Sequence, residues 1–320
     1  MIKQDNQVYI SCSVDGNKSF QEITAVMLYS MAKNLDPNRS VYVYVLHEPK
    51  HISTLKGYCK DINSQFTNVG FEFVEVDERI FEDNKIPTYN NLPMWTYYRL
   101  LLPELVDKDK ILYLDWDILV NKDISELWDI DLWDSLLAWV KTNVLKPWME
   151  NIQVDNYINA GMMLINLKLW RENNIWYKCI EFCVNYPMWI TGKKKIMWDQ
   201  CAINKVCENK IKYIDPAYNQ TPMCFGWELD YSQLWYNKNK YDQAIKNPTI
   251  IHFAGVDKPW KLNSLHPYNK LWGRYHSQLT NKPNISRYII QSITSLWSLN
   301  TPTYHLYVRI KKFIKYIVYK

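Results

Sequence analysis

The chain has 320 residues, of which 48% are hydrophobic and 22% are charged, with a formal net charge of +5. This length allows one large domain with an appendage, and this composition excludes a disordered chain. No apolar run approaches the roughly 20 residues that a membrane-spanning helix needs, and the polar residues 1–6 predict no signal peptide. The seven cysteines form no C-x-x-C pair, so we expect reduced thiols in a cytoplasmic protein.

Strand and helix patterns alternate along the first half of the chain and become less regular in the second half. Apolar, β-branched and aromatic runs predict strands at residues 8–14, 41–46, 71–76, 111–115, 160–167, 211–214 and 249–253. Helical spacing of apolar residues predicts helices at residues 20–35, 51–66, 94–105, 169–184 and 198–207. The alternation indicates an α/β fold with a largely parallel sheet and helices on both faces.

The end of the chain is basic, because 11 Lys and Arg residues and no Asp or Glu follow Asp257. On a helical wheel of residues 303–320, one side carries Leu306, Ile310, Phe313, Ile314 and Ile317, and the other carries Arg309, Lys311, Lys312, Lys315 and Lys320. This pattern is typical of an amphipathic helix at an anionic membrane surface, and its apolar stripe fits lipid better than nucleic acid. A helix packed on the protein's own core is the alternative interpretation.

A pair of aspartates follows the strand predicted at residues 111–115. Asp115 and Asp117 stand one residue apart, where the carboxyl end of a strand meets the ligand crevice of an α/β sheet. Two such carboxylates can hold a hard divalent cation that bridges the oxygens of a diphosphate. The alternative is a pair of turn-forming aspartates.

A second group of polar residues follows the strand predicted at residues 249–253. His252 could be a third metal ligand, Gly255 allows close backbone approach to a phosphate, and Lys258 could neutralise diphosphate oxygens. A structural histidine followed by a rigid turn would give the same pattern.

Two further motifs carry polar residues that could contact a sugar. The segment Asn159-Ala160-Gly161 precedes a buried strand, and its amide could bind sugar hydroxyls unless the segment is only a tight turn. At the start of a predicted helix, Asp199 could be a cap, and Gln200 could lie under a sugar ring.

Taken together and in this order, these motifs resemble glycosyltransferase family 8, the family of bacterial lipooligosaccharide galactosyl- and glucosyltransferases and of glycogenin. The resemblance covers residues 7–275 and also includes residues 13–17 and 96–100. It implies a GT-A type fold with a Rossmann-like mixed sheet and helices on both faces. The catalytic domain would span residues 1–276, and residues 277–320 would form a C-terminal helical tail.

The resemblance also implies roles for the matching residues. Mn²⁺, or less well Mg²⁺, would be bound by Asp115, Asp117 and His252. The uridine would be held by Ser13, Val14, Asp15 and Asn17, and the diphosphate by Gly255 and Lys258. The donor hexose would be surrounded by Arg99, Asn159, Ala160, Asp199 and Gln200, and Trp116 belongs to the same donor site. A Tyr that stacks on uracil in the family is replaced here by Lys18, for which Phe20 could substitute.

The implied activity is the transfer of galactose or glucose from a UDP-sugar to a glycan or glycolipid acceptor, with retention of configuration. Gln200 would lie nearest the reacting face in a front-face displacement, and Asp199 is the candidate nucleophile of a double displacement. The pathway would be the synthesis of lipooligosaccharide, lipopolysaccharide or another cell-surface glycan, at the inner face of the cytoplasmic membrane.

Other functions remain as alternatives. A family member that extends protein glycans and a non-catalytic protein that binds carbohydrate or nucleotide would both share these motifs. A nucleotidyltransferase would need a Gly-rich basic loop after the first strand, and residues 13–19 contain one Gly and one Lys.

Overall fold

The computed structural model describes residues 6–86, 93–142, 152–185, 198–221, 238–255, 257–261, 264 and 266–281. Its strands are β1 (Gln7–Val14), β2 (Ser40–His47), β3 (Val69–Glu75), β4 (Lys110–Leu114), β5 (Ile118–Val120), β6 (Leu137–Trp139), β7 (Lys141–Thr142), β8 (Tyr157–Ile158), β9 (Met162–Asn166), β10 (Ile211–Tyr213) and β11 (Ile250–His252). Its α-helices are α1 (Lys18–Asn34), α2 (Ser53–Gln65), α3 (Arg79–Asp83), α4 (Leu102–Leu105), α5 (Ser125–Trp128), α6 (Leu167–Glu172), α7 (Ile175–Asn185), α8 (Trp198–Cys207), α9 (Lys238–Lys246) and α10 (Asn269–Thr280). The 3-10 helices are Met94–Thr96, Tyr98–Leu101 and Pro216–Tyr218.

Seven strands form one mixed sheet in the order β10-β6-β9-β4-β1-β2-β3. Strands β3, β2, β1 and β4 run parallel, whereas β9 runs antiparallel between β4 and β6. A separate antiparallel pair joins β5 to β11, and another joins β7 to β8. The mixed sheet confirms the predicted fold class.

Helices and short strands cover both faces of the sheet, because successive side chains of a strand point to opposite faces. On one face, Val8, Ile10 and Cys12 of β1 are buried in a core that contains α1, α2, β5, β11 and α10. On the other face, Ile111 and Tyr113 of β4 are buried in a core that contains the first two 3-10 helices, α4 and the helices α6 to α8. Two apolar faces explain why the strands show nearly continuous apolar runs.

Two helix predictions were wrong in their continuity. Residues 94–105 form two 3-10 helices and then α4, because Pro103 lacks the amide hydrogen that a continuous helix would use and is placed in the first turn of α4. Residues 169–184 are divided between α6 and α7, with Asn174 in the left-handed conformation at φ 50°. Asparagine tolerates that conformation, which ends one helix and redirects the chain into the next.

The last described helix, α10, packs on the core and crosses the predicted domain boundary at residues 276/277. Its residues Trp272, Tyr275 and Leu279 are buried against the core that also contains α1. The predicted tail helix at residues 303–320 lies outside the described residues. Within the described part of the chain, every helix is too short or too polar to span a bilayer, and the cysteines there are buried and form no disulfide with one another.

Candidate functional site

The carboxyl ends of β1 and β4 lie side by side and bring the first loop next to the paired aspartates. Ser11 of β1 pairs in parallel with Tyr113 of β4, which places Ser13 beside Asp115 at one edge of the sheet. The hydroxyl of Tyr113 lies 3.4 Å from Oγ of Ser13. The predicted uridine-binding residues 13–17 and the predicted metal motif therefore meet where parallel strands end.

The third predicted metal ligand reaches this edge through the pairing of β5 with β11. His252 of β11 is paired with Ile118 of β5, which begins directly after Asp117. The amide of Phe253 donates to the carbonyl oxygen of Asp117 at 3.0 Å. As a result Nε2 of His252 lies 3.2 Å from Oδ1 of Asp117 and 3.8 Å from Oδ2 of Asp115.

Each of the two aspartates has one oxygen bound by protein groups and the other turned towards His252. Oδ1 of Asp115 accepts a hydrogen bond from the hydroxyl of Tyr113 at 3.0 Å and lies 3.1 Å from Nη2 of Arg99. Oδ2 of Asp117 accepts from Nζ of Lys258 at 2.5 Å. One oxygen of each aspartate and Nε2 of His252 therefore form a group of ligand atoms within 4.8 Å of one another.

The chemistry of this triad fits a hard divalent cation. Oδ1 of Asp117 is buried and has no hydrogen-bond partner among the described residues, although buried polar atoms are nearly always satisfied. A Cβ added to Gly161 would lie 2.1 Å from Cε1 of His252 and 2.7 Å from Oδ2 of Asp115. The space between the ligand atoms is thus kept open by a residue without a side chain. Adjacent ligands of an octahedral Mg²⁺ stand about 3 Å apart, close to the distance between Asp117 and His252.

Asp117 stays ionised despite its burial. Burial acts to raise the pKa of its carboxyl group, but the positive charges of the imidazolium form of His252 and of Lys258 outweigh burial and hold that pKa below its usual value. Lys258 also donates to the carbonyl oxygen of Phe253 at 2.7 Å, and its ammonium lies over the rings of Trp116 and Trp260 at 5.2 and 5.6 Å. An ionised carboxylate is the form that binds metal.

Arg99 is buried between two carboxylates and joins the metal motif to the start of α8. Its Nη2 lies 3.1 Å from Oδ1 of Asp115, and its Nε lies 3.1 Å from Oδ2 of Asp199. Its Nη1 donates to the carbonyl oxygen of Ala160 at 2.6 Å. Burial raises the pKa of Asp199 to about 6. The positive charge of Arg99 acts to lower this pKa, and the negative charge of Asp115 acts to raise it. Asp199 is therefore a titratable group near neutral pH in the predicted sugar pocket.

The amide of Gln200 is fixed by several hydrogen bonds in the same pocket. Its Oε1 accepts from the backbone amide of Ala160 at 2.9 Å and lies 3.3 Å from Nδ2 of Asn159, and its Nε2 donates to the hydroxyl of Tyr157 at 3.1 Å. The carbonyl oxygen of Gly161 accepts from the amide of Asp115 at 2.8 Å. This antiparallel contact between β4 and β9 brings the predicted sugar-binding segment to the metal motif.

The predicted base-binding loop turns sharply after β1. Oδ1 of Asp15 accepts from the amide of Asn17 at 2.7 Å, and the side chain of Asn17 caps α1. Lys18 is exposed, whereas Phe20 is half-buried and packs edge-to-face on Trp116, with ring centroids 4.4 Å apart. Phe20 thus lies beside the metal motif, where an aromatic ring could face a bound base.

The remaining predicted residues divide between the site and its rim. Val14 is buried at the end of β1. Gly255 follows β11 at φ 91°, and a Cβ there would meet nothing within 4 Å, so its backbone conformation rather than close packing favours glycine. The ligand contacts predicted for Asn17 and Gly255, like those of the other predicted site residues, stay predictions.

Two residues of the site carried little or no signal in the sequence. Asn219, which follows the 3-10 helix Pro216–Tyr218, contacts Nδ1 of His252 through Oδ1 at 3.1 Å. In the sequence, Asn219 lies neither in a periodic apolar pattern nor directly after a predicted strand. Gly161 belongs to a recognised motif, but its position between the metal-ligand atoms depends on the pairing of β4 with β9.

Comparison with known proteins identifies relatives over most of the chain. The sequence model of the family described as Glycosyl transferase family 8 matches residues 11–264. General stress protein A of Bacillus subtilis (strain 168) is 29% identical over 287 residues, which cover 87% of this chain and 95% of that protein. Glycosyltransferase GlyB of Streptococcus pneumoniae serotype 4 is 27% identical over 68% of this chain and 49% of that protein.

A solved structure shares the fold. The galactosyltransferase LgtC, determined in complex with donor and acceptor sugar analogs, superposes with a TM-score of 0.71 at 23% identity. The match covers 88% of this chain and 99% of that one. This likeness confirms the predicted GT-A type fold.

Proposed function

Since the chain belongs to glycosyltransferase family 8, we propose that it transfers a hexose, galactose in preference to glucose, from a UDP-sugar to a saccharide acceptor with retention of configuration. The observation that carries this proposal is the convergence of Asp115, Asp117 and His252 beside the Arg99–Asp199 pair. One half of the site offers ligands for a cation and a diphosphate. The other half offers a buried carboxylate and fixed amides for a sugar.

The metal would be held by Oδ2 of Asp115, Oδ1 of Asp117 and Nε2 of His252. Bound Mn²⁺ or Mg²⁺ supplies positive charge that stabilises a departing nucleoside diphosphate. Lys258 adds a second positive charge and keeps Asp117 oriented through its bond to Oδ2. A site with two such charges favours a leaving group that carries a diphosphate, which supports a UDP-sugar as the donor.

The sugar pocket supports a front-face displacement rather than a covalent intermediate on the protein. The carboxylate of Asp199 is buried and paired with Arg99 at 3.1 Å, so it is held away from free attack on an anomeric carbon. Gln200 is fixed by Ala160 and Tyr157 and would present its amide to the reacting face. In this route the departing diphosphate accepts the proton of the incoming acceptor hydroxyl, and the pocket orients the two reactants.

The basic end of the chain supports a location at the inner face of the cytoplasmic membrane. Residues 282–320 contain no acidic residue and include the cationic and apolar pattern at residues 303–320. Such a segment would bind anionic headgroups by charge and insert its apolar side chains. This location suits a glycolipid acceptor in lipooligosaccharide, lipopolysaccharide or another cell-surface glycan.

The proposal is tested with a panel of donors. Purified protein is incubated with Mn²⁺ and UDP-galactose, UDP-glucose or their N-acetylated forms, and the release of UDP is followed. We expect release from UDP-galactose to be fastest. Release from none of these donors, together with no thermal shift by UDP and Mn²⁺, would contradict the proposed activity and favour a non-catalytic binding protein.

A further inference from the structure

Asn219 is a buried amide behind the metal-facing side of His252. The residue is only 1% exposed, and its Oδ1 lies 3.1 Å from Nδ1 of His252. An amide oxygen can only accept a hydrogen bond, so Nδ1 must carry a proton in the neutral ring as in the imidazolium. A neutral imidazole with its proton on Nδ1 leaves the lone pair on Nε2, the atom that faces Asp117 and Asp115.

The backbone holds Asn219 in register with His252. The segment that follows the 3-10 helix runs parallel to β11, with a bridge between Gln220 and Ile251. The amide of Gln220 donates to the carbonyl oxygen of Ile250 at 2.9 Å, and the amide of His252 donates to the carbonyl oxygen of Gln220 at 2.8 Å. Two backbone hydrogen bonds therefore fix the side chain of Asn219 against the imidazole.

The other end of the Asn219 amide points to the sugar pocket. Its Nδ2 lies 3.4 Å from Oδ1 and 3.5 Å from the carbonyl oxygen of Asn159. Asn159 in turn lies 3.3 Å from Oε1 of Gln200 through its own Nδ2. A chain of side-chain amides thus runs from the imidazole of His252 to Gln200, which is predicted to lie nearest the donor sugar.

We propose that Asn219 is a positioning residue that fixes the Nδ1–H tautomer of His252 for metal binding and links the metal site to the sugar pocket through Asn159. The proposal rests on the metal-dependent function proposed above. Groups behind a metal ligand set both the orientation and the basicity of an imidazole, and their removal typically weakens metal binding about 10- to 100-fold. Asn219 fits this role because its Oδ1 lies 3.1 Å from Nδ1 of His252 and its Nδ2 lies 3.4 Å from Oδ1 of Asn159.

The tautomer can be measured without metal or substrate. Histidine-selective ¹⁵N labelling resolves the six histidines of the full chain, and His252→Gln assigns the signal of interest. In the metal-free wild-type protein at one alkaline pH, we expect Nδ1 of His252 to be protonated and Nε2 to be unprotonated. In Asn219→Ala we expect a mixture of the two tautomers. A wild-type His252 with its proton on Nε2 would overturn the proposal, whether or not any variant folds.

Binding of Mn²⁺ provides the second readout, followed by electron paramagnetic resonance in the presence of UDP. We expect Asn219→Ala to weaken Mn²⁺ binding about 10-fold or more. Asn219→Asp retains an acceptor for Nδ1–H, so its affinity for Mn²⁺ should lie within a few-fold of wild type. The same variant should raise the KM for the UDP-sugar, because the donor to Asn159 is lost. The matched control is Asn121→Ala, which removes one amide bond, to the carbonyl oxygen of Pro248 at 2.9 Å, from the far end of the β5–β11 pair. This control should bind Mn²⁺ like the wild type.

The outcomes separate the two proposals. If the wild type binds Mn²⁺ and Asn219→Ala binds it equally well, the role of Asn219 is overturned and the proposed function is left intact. A wild-type protein that binds no Mn²⁺ would contradict the metal-dependent function, and the tautomer measurement would still decide whether Asn219 sets the proton of His252.

Discussion

Oδ1 of Asp117 lies 3.2 Å from Nε2 of His252, although the two residues are far apart in the sequence. The pairing of β5 with β11 places them together, because β5 begins directly after Asp117 and β11 ends at His252. Two atoms that both carry lone pairs would repel at this distance unless a proton or a cation lies between them. The antiparallel pair therefore places side by side two atoms that could bind one cation.

Gly161 should be intolerant of even one added methyl group. In Gly161→Ala the new Cβ would lie 2.1 Å from Cε1 of His252, so the imidazole or the strand must move out of place. We expect Mn²⁺ binding and sugar transfer to be lost while the fold is retained. The matched control is Gly57→Ala in α2, where a Cβ meets nothing within 4 Å and the helix should gain up to about 1 kcal/mol. Normal Mn²⁺ affinity in Gly161→Ala would contradict the position of the metal.

Either metal-motif aspartate should be essential for activity. We expect Asp115→Ala and Asp117→Asn to lower kcat/KM about 100-fold or more, because a bound metal supplies several kcal/mol of charge stabilisation. Circular dichroism checks that the variants fold. Asp109→Ala, at a carboxylate that is 83% exposed, is the control and should keep wild-type activity. Near-normal turnover in a folded Asp117→Asn protein would exclude this aspartate as a ligand.

Asp199 should make a pH-dependent contribution to stability. Burial raises its pKa to about 6, whereas the unfolded chain has a value near 4. Between these values the folded protein binds more protons at this site than the unfolded chain, so its contribution to stability falls as the pH rises. Relative to Asp199→Asn, the free energy of unfolding of the wild type should fall by about 1 kcal/mol between about pH 5 and about pH 7.5. Urea titrations measure this difference, and a constant or rising difference would contradict the raised pKa.

Residues 282–320 should carry any membrane affinity. Truncation after Asn281 keeps α10, whose Tyr275 and Leu279 are buried in the core. We expect the truncated protein to leave anionic phosphatidylglycerol vesicles and to hydrolyse UDP-galactose at the wild-type rate. A full-length variant with Gln in place of Arg309, Lys311, Lys312, Lys315 and Lys320 should show the same release. Unchanged co-sedimentation of both variants would contradict the tail as a membrane anchor.

The fold class and the convergence of Asp115, Asp117 and His252 could be predicted because strong local patterns mark them. The buried strand β4 reads as an apolar run, and a carboxylate directly after such a strand must lie at the sheet's edge. The same rule predicts a site position for His252, because this residue lies at the end of β11. The order of these motifs along the chain indicated a resemblance to glycosyltransferase family 8. The match of the family model to residues 11–264 confirmed this resemblance.

Short elements and long-range contacts could not be predicted from the sequence. Strand β5 has three residues, too few for a period to emerge, and its partner β11 lies far along the sequence, at Ile250–His252. The contact of Asn219 with His252 depends on a single parallel bridge between Gln220 and Ile251. The break between α6 and α7 depends on one asparagine with positive φ, which local apolar spacing does not report.

The most direct test of the metal-dependent account is the release of UDP from UDP-galactose with Mn²⁺, with EDTA, and with Mn²⁺ restored in excess over EDTA. The account predicts release with Mn²⁺, its loss with EDTA, its return on addition of Mn²⁺, and a rate at least about 100-fold lower in Asp117→Asn with Mn²⁺. Release that continues unchanged in EDTA would contradict a cation held by Asp115, Asp117 and His252 as a requirement for transfer.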